Sequence, residues 1–158
     1  MSLSLNETHD PARRSFVESA NAPGCDFPIQ NLPFGVYRPA SAGSPRVGVA
    51  IGDQIVDVAA AGAAFDGQAA AATRACQAPA LNQLMSLGPQ AGSTLRLALS
   101  RALSAEQGNE KLRQHLSPMA QAEILLLWPI WRSCSLVRVE LSTRAKYCQL
   151  LFVLHEQA

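Results

Sequence analysis

Val47, Val49 and Ile51 alternate with Gly48 and Ala50, and a second extended run, residues 54–58, returns after only Gly52-Asp53. A period of two puts one set of side chains on one face of a strand and the other set on the opposite face. A glycine-first pair between two such runs is the chemistry of a tight hairpin turn. Residues 47–58 are therefore predicted to form an antiparallel β-hairpin turning at Gly52-Asp53. Gly48 does not open a dinucleotide-binding fingerprint, because no G-x-G-x-x-G is present and no helix follows the turn. These glycines are read as serving backbone geometry.

The flanks fit around that hairpin. Residues 26–35 carry Pro28 and Pro33 among apolar side chains. Each proline lacks an N–H and restricts the residue before it, so the segment cannot be helical. It is expected to lie irregular and extended, pinned by Phe27, Ile29, Leu32 and Phe34. Residues 34–38 then form a strand and 41–45 a loop. After the hairpin, 59–65 read as a short helix ended by Asp66-Gly67, and the alanine-rich stretch 68–77 as helix or loop. Residues 79–87 read as a helix, with Leu81, Leu84 and Met85 at helical spacing and Gly88 at its end. Pro89 opens the next helix. Its apolar stripe is Leu95, Ala98, Leu99, Ala102 and Leu103, while Arg96, Ser100 and Arg101 are assigned to water. A further short helix, 110–116, is closed by Ser117-Pro118, and 119–126 form a last strand. Residues 1–25 are polar without an apolar period and read as a mobile leader.

The 158 residues set a prior of one domain, and 48% hydrophobic with 16% charged residues permits a real core. The formal net charge of +1 leaves no electrostatic footprint for nucleic acid or an anionic membrane. The longest apolar run, 124–130, falls far short of the roughly 20 residues that cross a bilayer. Glu7, His9 and Asp10 stand where a signal peptide would be apolar. A cytoplasmic protein is expected. Cys25, Cys76, Cys134 and Cys148 are far apart, with no C-x-x-C and no zinc spacing, so they are read as free thiols.

Candidate chemistry is sparse. His9, His115 and His155 have no Ser, Cys or carboxylate at a motif spacing, and His115 reads as a solvated histidine at a helix end. Asp53 and Asp57 flank the turn and raise the idea of a metal pair. Turn chemistry explains Asp53, and alternation places Asp57 on the polar face. Cys25 and Cys76 show no activating base. Arg13-Arg14 is too short for a nucleic-acid patch. No catalytic, cofactor-binding or metal residue is assigned, and the residues alone describe an α+β domain.

Three stretches carry a resemblance: DFPIQNLPFGVY at residues 26–37, PRVGVAIGDQIVDV at 45–58 and ALNQLMSLGP at 80–89. In order and spacing, residues 26–126 resemble the N-terminal domain of the fumarylacetoacetase family. That resemblance implies a small Src-homology-3-like β-barrel with helical decoration. It also implies the family's chemistry, hydrolysis of 4-fumarylacetoacetate to fumarate and acetoacetate in tyrosine and phenylalanine catabolism. In full-length members this occurs in a homodimer that uses calcium and magnesium. The family's catalytic domain follows directly, with metal-binding acidic residues and a histidine base. Here residues 127–132 read Leu-Trp-Pro-Ile-Trp-Arg, and none of the family's catalytic or metal residues can be placed. No cofactor is expected in this chain.

Composition changes at the same point. All 10 glycines precede residue 127, and both tryptophans follow it. Residues 127–158 are read as an unrelated tail, of the kind that a frameshift, a retained intron or a mistaken gene model produces. Two functions follow: a truncated, inactive fumarylacetoacetase fragment, or a stand-alone small-barrel protein-interaction module.

Overall fold

Strand β1 spans Phe34–Pro39, β2 Arg46–Ile51 and β3 Gln54–Asp57. The computed structural model describes residues 6–40 and 43–125. The reading of 127–158 as an unrelated tail lies outside the described residues. β2 and β3 pair antiparallel with Ile51 opposite Gln54, so only Gly52-Asp53 is left for the turn, as the alternation predicts. Gly52 sits at φ +56, a backbone region that glycine enters without a Cβ penalty. Val47, Val49, Ile51 and Val56 are fully buried on one face of this hairpin.

Between β3 and the next strand the chain makes a helical excursion. A 3-10 helix, Ala60–Ala64, leads to α1 (Gly67–Ala75), α2 (Asn82–Ser86), α3 (Pro89–Leu103) and α4 (Glu110–Arg113). Pro89 occupies the first turn of α3, where its missing N–H is no loss. Leu95, Leu99, Ala102 and Leu103 of the predicted stripe are buried. Helix α2 is barely more than one turn, so Leu81 and Leu84 reach the core while Met85 and Leu87 stay exposed.

The chain then returns as β4 (Leu116–Pro118), a 3-10 helix (Met119–Gln121) and β5 (Ala122–Leu125). The five strands form one antiparallel sheet in the order β4-β3-β2-β1-β5. Strands β4 and β5 are thus its two ends, yet only Met119–Gln121 joins them. That link spans at most about 14 Å. In a flat sheet, four strand spacings would hold the ends roughly 19 Å apart. The sheet has to curl, and the class is α+β with a half-barrel sheet.

The structure corrects several expectations. Residues 116–118 are strand, because Leu116 pairs with Val56 and the His115 carbonyl accepts the Asp57 N–H at 2.9 Å. Ser100 and Arg96 do not both face water. Ser100 is fully buried, and Arg96 is half-buried and donates to the Gln30 carbonyl. For Arg96 the partner belongs to the proline-bearing segment, which no periodicity within the helix can announce. Residues 6–21 of the expected leader lie against the fold, with Thr8, Ser15, Val17 and Ala20 buried. They are held mainly by hydrogen bonds to distant backbone, so they lack the apolar period that marks a packed element. Among the described residues, no helix is long and apolar enough to cross a membrane.

Candidate functional site

The face of the sheet opposite Val47 and Val49 holds a group of polar side chains drawn from three strands. Register places Tyr37 of β1 beside Arg46 of β2, and Gly48 of β2 beside Asp57 of β3. Arg46 Nη1 donates to Asp57 Oδ2 at 2.8 Å, and the Ala60 N–H donates to Asp57 Oδ1 at 3.0 Å. The Tyr37 phenol lies close enough to this carboxylate to feel its charge. The Asp57 side chain is only 8% exposed, whereas that of Arg46 is 47% exposed. Asp57 therefore alternates to the polar face as expected, but that face is covered rather than solvated. Phe27, Ala50 and Ala122 pack against a cluster of Tyr37, Ile55 and Met119 there.

Gly48 makes the arrangement possible. A Cβ on it would lie 2.6 Å from Ile55 Cγ2 and 2.8 Å from Tyr37 Cδ1. The glycine is a cradle for the phenol ring, a stricter requirement than backbone geometry alone. Burial, then the charge of Asp57 and the hydrogen bond to it, push the Tyr37 hydroxyl up to about 12. Its proton is thus fixed at neutral pH. The hydrogen bond to Asp57 and its charge also hold the Arg46 guanidinium above its ordinary range.

A raised folded-state value means that the native state keeps the Tyr37 proton more tightly than the unfolded chain. Its stabilising contribution is full below pH 10 and is lost between pH 10 and about 12. Unfolding free energy should fall by roughly 2–3 kcal/mol across that window. In Tyr37→Phe this slope should vanish, which urea titrations at stepped pH would measure. An unchanged slope in the variant would assign it to another group.

Asp53 lies in the turn just before β3. It accepts from Ser19 Oγ at 2.5 Å and from Gln54 Nε2 at 3.1 Å. Those two bonds, chiefly the one from Ser19, hold its carboxyl below the usual range. The Asp53–Asp57 metal-pair idea does not fit. The two residues are four positions apart along an extended strand, about 13 Å, and each carboxylate is already engaged by donors. No calcium or magnesium site can be built on them. Among the described residues, no three His, Cys, Asp or Glu side chains cluster to hold a metal ion.

The other candidates stay separate. His9 accepts the Asn6 N–H at 3.2 Å and closes a local cap. His115 sits just past α4, half-buried, with its carbonyl on β3. Cys25 and Cys76 are free. Burial pushes the Cys76 thiol up to about 11, so it stays protonated and unreactive. Arg13 pairs with Glu7 at 3.2 Å, while Arg14 reaches the Asn21 carbonyl. His155, Cys134 and Cys148 lie outside the described residues. Sequence reading missed Tyr37 and Arg46 as partners of Asp57, because only strand register brings the three together.

Comparison with known proteins bears on this fold directly. A family model described as "Fumarylacetoacetase N-terminal" matches residues 30–127. Fumarylacetoacetase of Oryza sativa subsp. japonica is 42% identical over 123 residues, covering 72% of this chain and 28% of the relative. That of Mus musculus is 43% identical over 94 residues, 56% of this chain and 22% of the relative. The protein of Dictyostelium discoideum is 33% identical over 120 residues, covering 72% and 27%. The chain thus spans less than a third of the length of these curated relatives. The matched region contains the whole sheet, the helical excursion and the Tyr37–Arg46–Asp57 hub, and the chain belongs to the fumarylacetoacetase family through its N-terminal domain.

Proposed function

We propose that this chain supplies the non-catalytic N-terminal domain of a fumarylacetoacetase and does not hydrolyse 4-fumarylacetoacetate by itself. The observation that carries the reading is the match to the N-terminal family model over residues 30–127, with the Oryza relative covered over only 28% of its length. The chemistry points the same way. Hydrolytic cleavage of a carbon–carbon bond needs a group that polarises the diketone and a base that activates water. Asp57 is the buried carboxylate among the described residues, and both its oxygens are already taken up by Arg46 Nη1 and the Ala60 N–H. Its role in this reading is architectural: it ties β2 and β3 to the following 3-10 helix.

The finer fold reading is a Src-homology-3-like barrel. It is supported by the strand order β4-β3-β2-β1-β5, by the 3-10 link between the last two strands and by the curl which that short link imposes. The helical excursion between β3 and β4 is then the decoration on that barrel.

The test is direct. Purified chain, with calcium and magnesium added, is incubated with 4-fumarylacetoacetate, and loss of the substrate's absorbance is followed. Expected is a rate equal to that of buffer. Turnover above buffer that a chelator abolishes would overturn the reading.

A further inference from the structure

Residues 6–21 grip the domain at two separate places. At the end of α3, the Glu7 carboxylate takes Arg101 Nη2 at 2.5 Å and Arg13 Nη1 at 3.2 Å. The Leu103 carbonyl accepts both the Phe16 N–H at 3.1 Å and Ser15 Oγ at 2.9 Å. The Ala105 N–H donates back to the Arg14 carbonyl at 2.9 Å. The Phe16 ring lies 4.4 Å beneath the Arg113 guanidinium. At the hairpin turn, Ser19 Oγ donates to Asp53 Oδ1 at 2.5 Å and accepts the Asp53 N–H at 3.1 Å. Between the two, Gln30 Nε2 donates to the carbonyls of Asp10 and Arg13.

This attachment differs from the rest of the fold. Sheet-type pairing is limited to one isolated bridge, Ser15 to Ser104. Apolar burial within the segment comes from Val17 and Ala20. Exposed ion pairs and single hydrogen bonds each contribute little, so the segment belongs to the low end of local stability. Downstream lies an exposed turn at residues 22–24, where Gly24 takes φ +75 and a Cβ would meet nothing within 4 Å. Immediately beyond, the Phe27 carbonyl is anchored by the Gly52 N–H at 2.8 Å.

We propose that residues 6–21 are a clasp that opens and closes as one unit about the turn at 22–24, while the sheet and helices stay folded. Both grips sit on one short length of chain, so releasing either end unloads the other. Opening frees the Leu103 carbonyl and the Asp53 carboxylate, and it presents Arg13, whose side chain is 13% exposed when closed, to solvent.

Amide hydrogen exchange on the full chain tests this. Phe16 and Ala105 report the α3 grip, Asp53 reports the turn grip, and Asp57 and Val58 report the body. Phe16 and Ala105 should exchange at one common rate, at least about 10-fold faster than the body amides. Ser19→Ala, at the turn, should accelerate Phe16 and Ala105 by roughly 5- to 10-fold and leave Asp57 and Val58 unchanged. Arg101→Gln, at the other end, should accelerate Asp53. If Ser19→Ala speeds only Asp53, or if Phe16 and Ala105 exchange at the body rate, the unit-opening clasp is wrong.

Discussion

Replacing Gly48 with alanine is expected to destabilise the domain by about 2–3 kcal/mol, the range of overpacked cores. The same change at Gly35, its direct cross-strand partner, should be neutral or stabilise slightly. The two positions share a register pair and a residue type, so backbone propensity predicts no difference between them. Their surroundings differ. A Cβ at Gly35 meets nothing within 4 Å, while one at Gly48 lies 2.6 Å from Ile55 and 2.8 Å from the Tyr37 ring. The ring has no room to yield, because it is buried in a cluster with Ile55 and Met119. Urea midpoints at constant slope would measure both effects. The double variant Gly48→Ala, Tyr37→Ala should show a coupling of roughly 1 kcal/mol or more, since the clash disappears with the ring. Equal losses at Gly48 and Gly35 would remove the cradle explanation.

Truncating Asp57 to alanine should have a larger effect still, about 4 kcal/mol, the scale of a buried polar group removed together with the partners it served. The loss is not chiefly that of the Arg46 pair, because Arg46 is half exposed and can turn to water. It arises from emptying a buried site, which deprives the Ala60 N–H of its acceptor and the buried Tyr37 phenol of the carboxylate beside it. Arg46→Ala should therefore cost only about 1 kcal/mol. Asp57→Asn, which keeps an acceptor oxygen, should fall between the two. Thermal unfolding followed by circular dichroism would rank the three, with a drop of roughly 15 °C for Asp57→Ala. An Arg46→Ala loss as large as that of Asp57→Ala would mean that the ion pair dominates.

What the sequence made legible follows a physical line. The hairpin could be read because alternation and turn chemistry act within a dozen residues. So could the Pro89 helix start and the Leu95–Leu99 stripe of α3. Leu116–Pro118 could not, since three residues show no period and become a strand only by pairing with β3. Ser100 was assigned to water because it is polar and flanked by arginine, yet it is fully buried. Ser15 failed the same way, since its partner is the Leu103 carbonyl. The hub was half visible. Alternation put Asp57 on the correct face, but that this face is roofed by Phe27 and Met119, and that Tyr37 reaches across to it, are facts of register and tertiary packing.

The three-residue link between β4 and β5 also shapes how the domain assembles. β1, β2 and β3 form a meander whose contacts are local and quick to close. Its two outer edges wait for partners far along the chain: Pro39 for Ala122, and Gln54 for Pro118. Such separations raise contact order and slow folding. Because Met119–Gln121 ties the closing strands together, docking one on its edge delivers the other to the opposite edge. Closure of the sheet is then a single late event. Until the ribosome has released both strands, a nascent chain carries two bare β edges on an apolar meander, and that interval is where misassociation with neighbouring chains is most exposed.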